Sequence, residues 1–309
     1  MMRDRVTAVA PGSVGNLGPG LDVLGLALDG PTDQVEARRT MTPGIQVVDP
    51  GHAALPTDPA RHSAAIAADA VRRMAGADPG MGVELRITKG LPLCGGQGGS
   101  AASAVAGAAA MNALLGEPLA REALVLAALE AETAVAGRHA DNVAPSVLGG
   151  LVLIRSLDPL DLVRIPVPDR LRVVLAHPQQ ELRTRDGRAA LPESVPLAVA
   201  LHQAAQVAAI VAGCLGDNLA LLGRAIDDQI AEPARAPLLP GFRDAKRAAL
   251  AAGALGCSIS GSGPTAFALA DGPAAGDTVA AAMAEAYRRA GIAARTRVAQ
   301  VDRHGVRVQ

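Results

Sequence analysis

The sequence predicts an α+β fold in two halves, and three observations carry that expectation. Short alternating apolar segments, such as GVELRITKG at 82–90, are interleaved with Ala-rich stretches of helical spacing, such as 100–115. The 309 residues suffice for one large domain or two ordinary ones. Near residue 160 the rhythm changes, which sets the expected units at 1–160 and 161–309.

Taken in order, 6–10 reads as a short apolar strand, and 33–40 and 45–49 read as strands separated by Pro-Gly turn residues. Residues 63–76 have helical spacing and end on a glycine stop, and 82–90 alternates with period two. Helices are expected over 100–115 and 119–135, then strands in GGLVLIRS and DLVRIPV. In the second half LRVVLAHP is a strand, 194–231 holds two long helical patterns, and GFRDAKRAALAAG is a helix. GCSISGSGPTAFALA reads as strand-turn-strand, 273–291 as a helix and ARTRVAQVD as a last strand. No internal repeat interrupts this order.

Composition narrows the function classes. Phe242, Phe267 and Tyr287 are the three aromatic residues, so the core relies on aliphatic side chains and no stacking platform for single-stranded nucleic acid is in view. Net charge is −1 without a basic run, which argues against a nucleic-acid surface. Cys94, Cys214 and Cys257 are far apart and odd in number, favouring reduced thiols and a cytoplasmic setting over a disulfide framework. The N-terminus lacks a signal-peptide h-region, and polar residues break the Ala-rich stretches, so neither secretion nor a membrane span is expected.

Three polar stretches stand out. GLPLCGGQGGSAAS (90–103) joins a strand to a helix, so small residues can turn backbone N–H groups inward around an anion. The helix N-terminus adds roughly half a positive charge. No G-K-[ST] closes the loop, so it is not a Walker A motif, and its glycines alone also fit a plain connection. APGSVGNLGPGLDVLGLALDG (10–30) sets Asn16 and Asp22 among glycines and prolines, where capping of their own turn competes with a binding role. GRHADNVAPSVLGG (137–150) clusters His139, Asp141 and Asn142 between apolar segments, which favours a site. The G-x-G-x-x-A at Gly261–Ala266 leads into a strand instead of a helix, which removes the dinucleotide fingerprint and leaves a tight hairpin.

In order and spacing these stretches, with SISGSGPTAF, resemble the GHMP small-molecule kinases, and SVGNLGPGLDVLGLAL and HADNVAP resemble the homoserine-specific branch. The resemblance implies the two-domain GHMP kinase fold, with an N-terminal half like ribosomal protein S5 domain 2 and a ferredoxin-like C-terminal half. It implies ATP on the glycine loop, at Pro92, Gly96, Gln97, Gly98, Gly99, Ser100, Ala101 and Ala102, with His62 near the base. Ser100 and Glu132 match the residues that hold Mg²⁺ in the family. Asp22 matches the acceptor's ammonium partner, and Arg188 and Arg235 match its carboxylate partners. Asn16, His139, Asp141 and Thr184 match residues of the same pocket, and Asn142 stands beside the acceptor hydroxyl. Phosphorylation of L-homoserine on the route to threonine, by a cytoplasmic homodimer, is what the resemblance implies.

The chain departs from the family at three places. Gln97 and Gly99 stand where the loop usually carries Leu and Ser, Leu21 replaces Phe, and His62 replaces an Asn that touches the nucleotide. Two other readings fit the same motifs: a kinase for threonine or a mevalonate-like alcohol, and a metabolite sensor without turnover. Asp22, Arg188 and Arg235 favour an amino-acid acceptor, and Ser100 with Glu132 favours catalysis.

Overall fold

The computed structural model describes residues 3–309, which form two sheets and the helices packed on them. The first half runs β1 (Arg5–Gly15), β2 (Leu24–Thr40), β3 (Ile45–Asp49), α1 (Ser63–Met74), β4 (Gly82–Thr88), α2 (Gly99–Leu114), α3 (Arg121–Val135), α4 (Val143–Leu148), β5 (Leu151–Leu157) and β6 (Leu160–Ile165). The second runs β7 (Leu171–Pro178), α5 (Thr184–Ala189), α6 (Leu197–Leu215), α7 (Leu219–Arg224), α8 (Ala231–Arg235), α9 (Phe242–Ala251), β8 (Gly256–Ile259), β9 (Ala266–Asp271), α10 (Gly272–Arg289), β10 (Ala294–Ala299) and β11 (Arg307–Val308).

The first sheet has the order β11-β1-β2-β4-β3, with β5 pairing the start of β2 and β6 pairing β5. The pair β3–β4 is parallel and the other pairs are antiparallel. The second sheet is antiparallel with the order β10-β7-β9-β8. Strand β11 returns the C-terminal end of the chain to the first sheet, beside β1.

The cores differ as the composition requires. Every residue of α2 from Ala101 to Leu114 is buried, the mark of a helix enclosed on all sides. Its alanines let it lie close to α1 and to β1 and β2. All three aromatics lie in the second half and are no more than 1% exposed.

Several expectations need correction. The strand read at 6–10 extends to Gly15, and the segment at 33–40 is the end of a 17-residue strand that starts at Leu24. The second long helix expected within 194–231 is only the six-residue α7, and α8 starts where that pattern ends. Between them Asp228 turns the chain: its carboxylate accepts the N–H groups of Ile230, Ala231 and Glu232 at 2.8–3.0 Å, just ahead of and at the start of α8. Helices α4 and α5 and strand β11 had no sequence expectation; α4 and α5 have six residues each and β11 two, too few for a clear period. Helix α6 does reach spanning length, with 19 residues and a mean hydropathy of 1.6. Its central Gln203 is nevertheless fixed inside the protein, to Pro19 O, Asp228 Oδ1 and Gln229 N.

Candidate active site

A cavity of about 550 Å³ opens between the two halves. Its wall is built by the 16–22 turn, the glycine loop, the end of α3, the 139–142 segment, the 181–188 segment with α5, and the 261–263 turn.

At one end the glycine loop is fastened from several sides. Gly98 caps α2 in the left-handed region (φ +69°), and a Cβ there would stand 2.4 Å from Ser13 Oγ, so only glycine fits. The first α2 amide bonded along the helix is that of Ala102, to Gly98 O. The preceding N–H groups of Gly99, Ser100 and Ala101 have no acceptor within the helix and can serve an anion. From the second half, Ser260 Oγ donates to Gly96 O (2.6 Å) and Thr265 Oγ1 to Gly95 O (2.5 Å). Beneath the loop Lys89 and Asp33 form a buried ion pair, 7% and 0% exposed at the side chain. Lys89 Nζ also donates to Gly99 O and Ser103 Oγ, both at 2.9 Å. Asp33 accepts from Gly90 N, Leu91 N and Ser103 Oγ. All three Lys89 N–H bonds are thereby committed, so this lysine braces the loop and has none left for a phosphate.

Where α2 meets α3, Ser100 Oγ lies 3.2 and 3.0 Å from the two oxygens of Glu132. Glu132 is 3% exposed, and among the described residues no Lys or Arg pairs with it. Burial pushes its carboxyl above the usual carboxylate range, opposed by the nearby His139 and by the Ser100 hydroxyl. A buried carboxylate with a hydroxyl beside it, and no basic partner, is a donor set of the kind a hard divalent cation takes. His139 Nδ1 lies 3.3 Å from Asp141 Oδ1 but is misaligned for a hydrogen bond. Burial opposes charge on this ring, yet Asp141, Glu132 and Asp22 together raise its pKa.

The 139–142 segment can approach β2 because Gly25 has no side chain: a Cβ there would lie 1.7 Å from Asp141 O. Asp141 Oδ2 accepts from Asn16 N at 3.0 Å. Asn142 Oδ1 accepts from Ser13 Oγ at 2.9 Å, and its NH₂ donates to Asp141 Oδ1 at 3.4 Å, which leaves one N–H of the amide available. At the other end of the cavity Arg188 forks onto Asp22, with Nη1–Oδ1 3.2 Å and Nη2–Oδ2 2.6 Å. Even so, burial and the Asp141 charge outweigh Arg188 and raise the Asp22 pKa. Arg235, 3% exposed, donates from Nε to Gly187 O (3.0 Å) and from Nη1 to Gly261 O (2.8 Å).

Most residues singled out from the sequence meet at this cavity: Asn16, Asp22, His62, Pro92, Gly96, Gly98, Gly99, Ser100, Glu132, His139, Asp141, Asn142, Thr184, Arg188 and Arg235 line it. Three of the loop residues stand differently. Gln97 turns its side chain to Thr265 Oγ1 (3.3 Å), and Ala101 and Ala102 bury theirs in the core, so none of the three lines the cavity. His62 lines the cavity but is also the N-cap of α1, accepting from Ala64 N at 3.3 Å. The sequence reading missed Asp33, Lys89 and Ser103, and the cations Arg61 and Arg183 at the cavity wall.

The comparisons agree with this geometry. Residues 62–150 match the model of the GHMP kinases N terminal domain and 207–289 that of the GHMP kinases C terminal domain. The chain is 44% identical over 293 residues to a homoserine kinase of Chlorobium phaeobacteroides, covering 91% of this chain and 92% of that one. It is also 44% identical to one of Arabidopsis thaliana, covering 93% and 79%. A solved homoserine kinase from Cytophaga hutchinsonii superposes with a TM-score of 0.95 at 41% identity, over 100% of this chain and 98% of that one. The α+β architecture with two sheets is therefore the two-domain GHMP kinase fold, and this chain belongs to the homoserine kinase family of the GHMP kinases.

Proposed function

We propose that this protein transfers the γ-phosphoryl group of ATP to the side-chain hydroxyl of L-homoserine, giving ADP and O-phospho-L-homoserine on the route to threonine. The observation that carries the reading is a single cavity with two chemically different ends. One end presents the N–H groups of a glycine loop and helix N-terminus beside Ser100 and Glu132. The other presents one carboxylate and two guanidinium groups, those of Asp22, Arg188 and Arg235, a set matched to a zwitterion.

In this mechanism the amides of Gly98, Gly99, Ser100 and Ala101 take phosphate oxygens, and the packing of His62 and Pro92 shapes the nucleoside end. Ser100 and Glu132 would hold Mg²⁺, which when bound neutralises charge on the phosphates. The Asn142 NH₂ group orients the acceptor hydroxyl, and Thr184, Asn16, His139 and Asp141 complete that pocket. An amide is no base near neutral pH, so Asn142 aligns the hydroxyl for an in-line attack. As the new P–O bond forms and the bond to ADP breaks, the hydroxyl proton passes late to a phosphate oxygen. The nucleotide unit is 1–160 and the second unit 161–309, except that β6 carries the first sheet on to Ile165 and β11 rejoins it, and the enzyme works as a cytoplasmic homodimer. Exposed Leu197, Leu201 and Leu215 on α6 offer an apolar face suited to a second copy.

ADP release from Mg-ATP, followed with homoserine, threonine and mevalonate in turn, tests the reading. Homoserine should stimulate release well above the other two. No stimulation by homoserine would sink it.

A further inference from the structure

Asp22 and Arg188, which the proposed reading gives to opposite ends of the acceptor, are bonded to each other in the cavity. Their side chains are 35–38% exposed, so the pair is within reach of a ligand. Arg235, by contrast, spends two of its donors on backbone carbonyls and, among the described residues, forms an ion pair with no carboxylate. The pair joins two separate parts of the chain: Asp22 lies in the turn between β1 and β2, and Arg188 on the short helix α5.

Resting on that reading of the acceptor, we propose that the Asp22–Arg188 pair is an exchange site that selects doubly charged acceptors. A zwitterion replaces each partner with its own opposite charge: its ammonium takes over Asp22 and its carboxylate takes over Arg188. One ion pair is broken and two are made. An alcohol with only a carboxylate gains Arg188 but strands Asp22, a part-buried carboxylate already crowded by Asp141. An alcohol with only an ammonium gains Asp22 and strands Arg188. Each singly charged analogue therefore works against the pair itself, in addition to lacking one contact.

This mechanism makes a claim that simple contact loss does not. If Asp22 did no more than receive the ammonium, removing its charge would help an amine-free carboxylate only by relieving repulsion, and to the same extent with or without Arg188. If Asp22 also occupies Arg188, removing its charge frees the arginine, and the amine-free acceptor binds more tightly than to the unaltered protein. Asp22→Asn is a mild change for the backbone, because Asp22 has φ +61° and asparagine tolerates that region well.

The experiment is calorimetric binding to the full chain of homoserine, of 4-hydroxybutanoate (no amine) and of 3-aminopropan-1-ol (no carboxylate). Asp22→Asn should weaken homoserine and tighten 4-hydroxybutanoate by roughly three- to tenfold, the range for a part-exposed forked ion pair. Arg188→Gln should do the converse, tightening 3-aminopropan-1-ol. The gain for 4-hydroxybutanoate should shrink when Asp22→Asn is made on Arg188→Gln; no gain in Asp22→Asn, or an equal gain in both backgrounds, overturns the exchange. Homoserine binding to the unaltered protein in that same series would keep the acceptor reading intact. Its absence there would overturn both.

Discussion

The two ends of the cavity hold their charges in opposite ways. Beneath the glycine loop, Lys89 and Asp33 are buried and every Lys89 donor is spent on Asp33, Gly99 or Ser103. At the acceptor end, the side chains of Asp22 and Arg188 are part-exposed and bonded to each other, while the Asp22 backbone N–H is held by Asn16 Oδ1. In the proposed reading the first pair holds a backbone shape that must be ready before ATP arrives, since amides aimed at a phosphate act by preorganisation. The second pair, in the same reading, sits where the ligand itself carries both charges. Burial and saturation of donors would then mark the part of the site that stays still, and exposure the part open to exchange with a ligand.

Glu132 is the sharpest point of that contrast, because it is buried like the first pair yet has no permanent cation. Glu132→Gln should lower kcat by about 10²–10³ at saturating Mg-ATP, the range for loss of one charge-stabilising group. The same change should stabilise the ligand-free protein. The carboxyl's pKa is raised by burial above its ordinary value near 4.5, so its favourable contribution is complete below about 4.5 and is lost as pH rises through the raised value. The Gln variant has no such loss. Its Tm advantage should therefore be absent in acid and grow toward pH 8, reaching on the order of 2–4 °C. Thermal melts across pH check this, and a Tm difference constant with pH counts against a strained, ionised Glu132.

Asp33→Ala breaks the buried pair and leaves Lys89 charged without a partner. Such an uncompensated charge costs about 3–5 kcal/mol, so Tm should fall on the order of 5–10 °C. Because Gly90 and Leu91 also lose their acceptor, the loop should loosen. KM for ATP is then expected to rise while KM for homoserine stays within about twofold. A parallel rise in both would show that the two ends are not independent.

That brace left a trace in the sequence that the reading missed, a parity that composition hides. Asp33 shares its strand face with Val35 and Ala37, both buried, and Lys89 follows Val83, Leu85 and Ile87 at alternate positions. The pairing of Gln34 with Thr88 and Val35 with Ile87 brings the two opposite charges face to face. Two charges on inward positions of neighbouring strands are a signal, but the partner strand is known only once the fold is. The glycine loop, the 16–22 turn and the 137–150 cluster stood out in the sequence, but the first also fits a plain connection and the second a self-capped turn, so their order and spacing together, as in the GHMP kinases, gave them roles. Helix α5 did not stand out: its six residues are too few to show a period, and Arg188 gains meaning only through Asp22, 166 positions away. The break before α8 was equally hidden, since it depends on one Asp228 side chain finding three backbone N–H groups.

Gln97 tests how firmly the loop depends on the second half of the chain. Its amide reaches Thr265 Oγ1 at 3.3 Å, a long hydrogen bond, while Thr265 and Ser260 hold Gly95 O and Gly96 O at 2.5 and 2.6 Å without it. The loop backbone is additionally tied through Ser13 N to Gln97 O, a bond that does not involve the Gln97 side chain. Gln97→Leu removes the amide from a position 7% exposed and replaces it with an apolar group of similar length. The hydrogen bond lost is worth about 1 kcal/mol at most, and burial of leucine offsets much of it. Thr265 keeps a partner for its hydroxyl proton, so no buried donor is orphaned. Tm should therefore move by no more than about 2 °C, and KM for ATP by less than about twofold. A larger rise in KM at unchanged Tm would mean that the Gln97 side chain, and not the pair of hydroxyls, sets the loop against the second half.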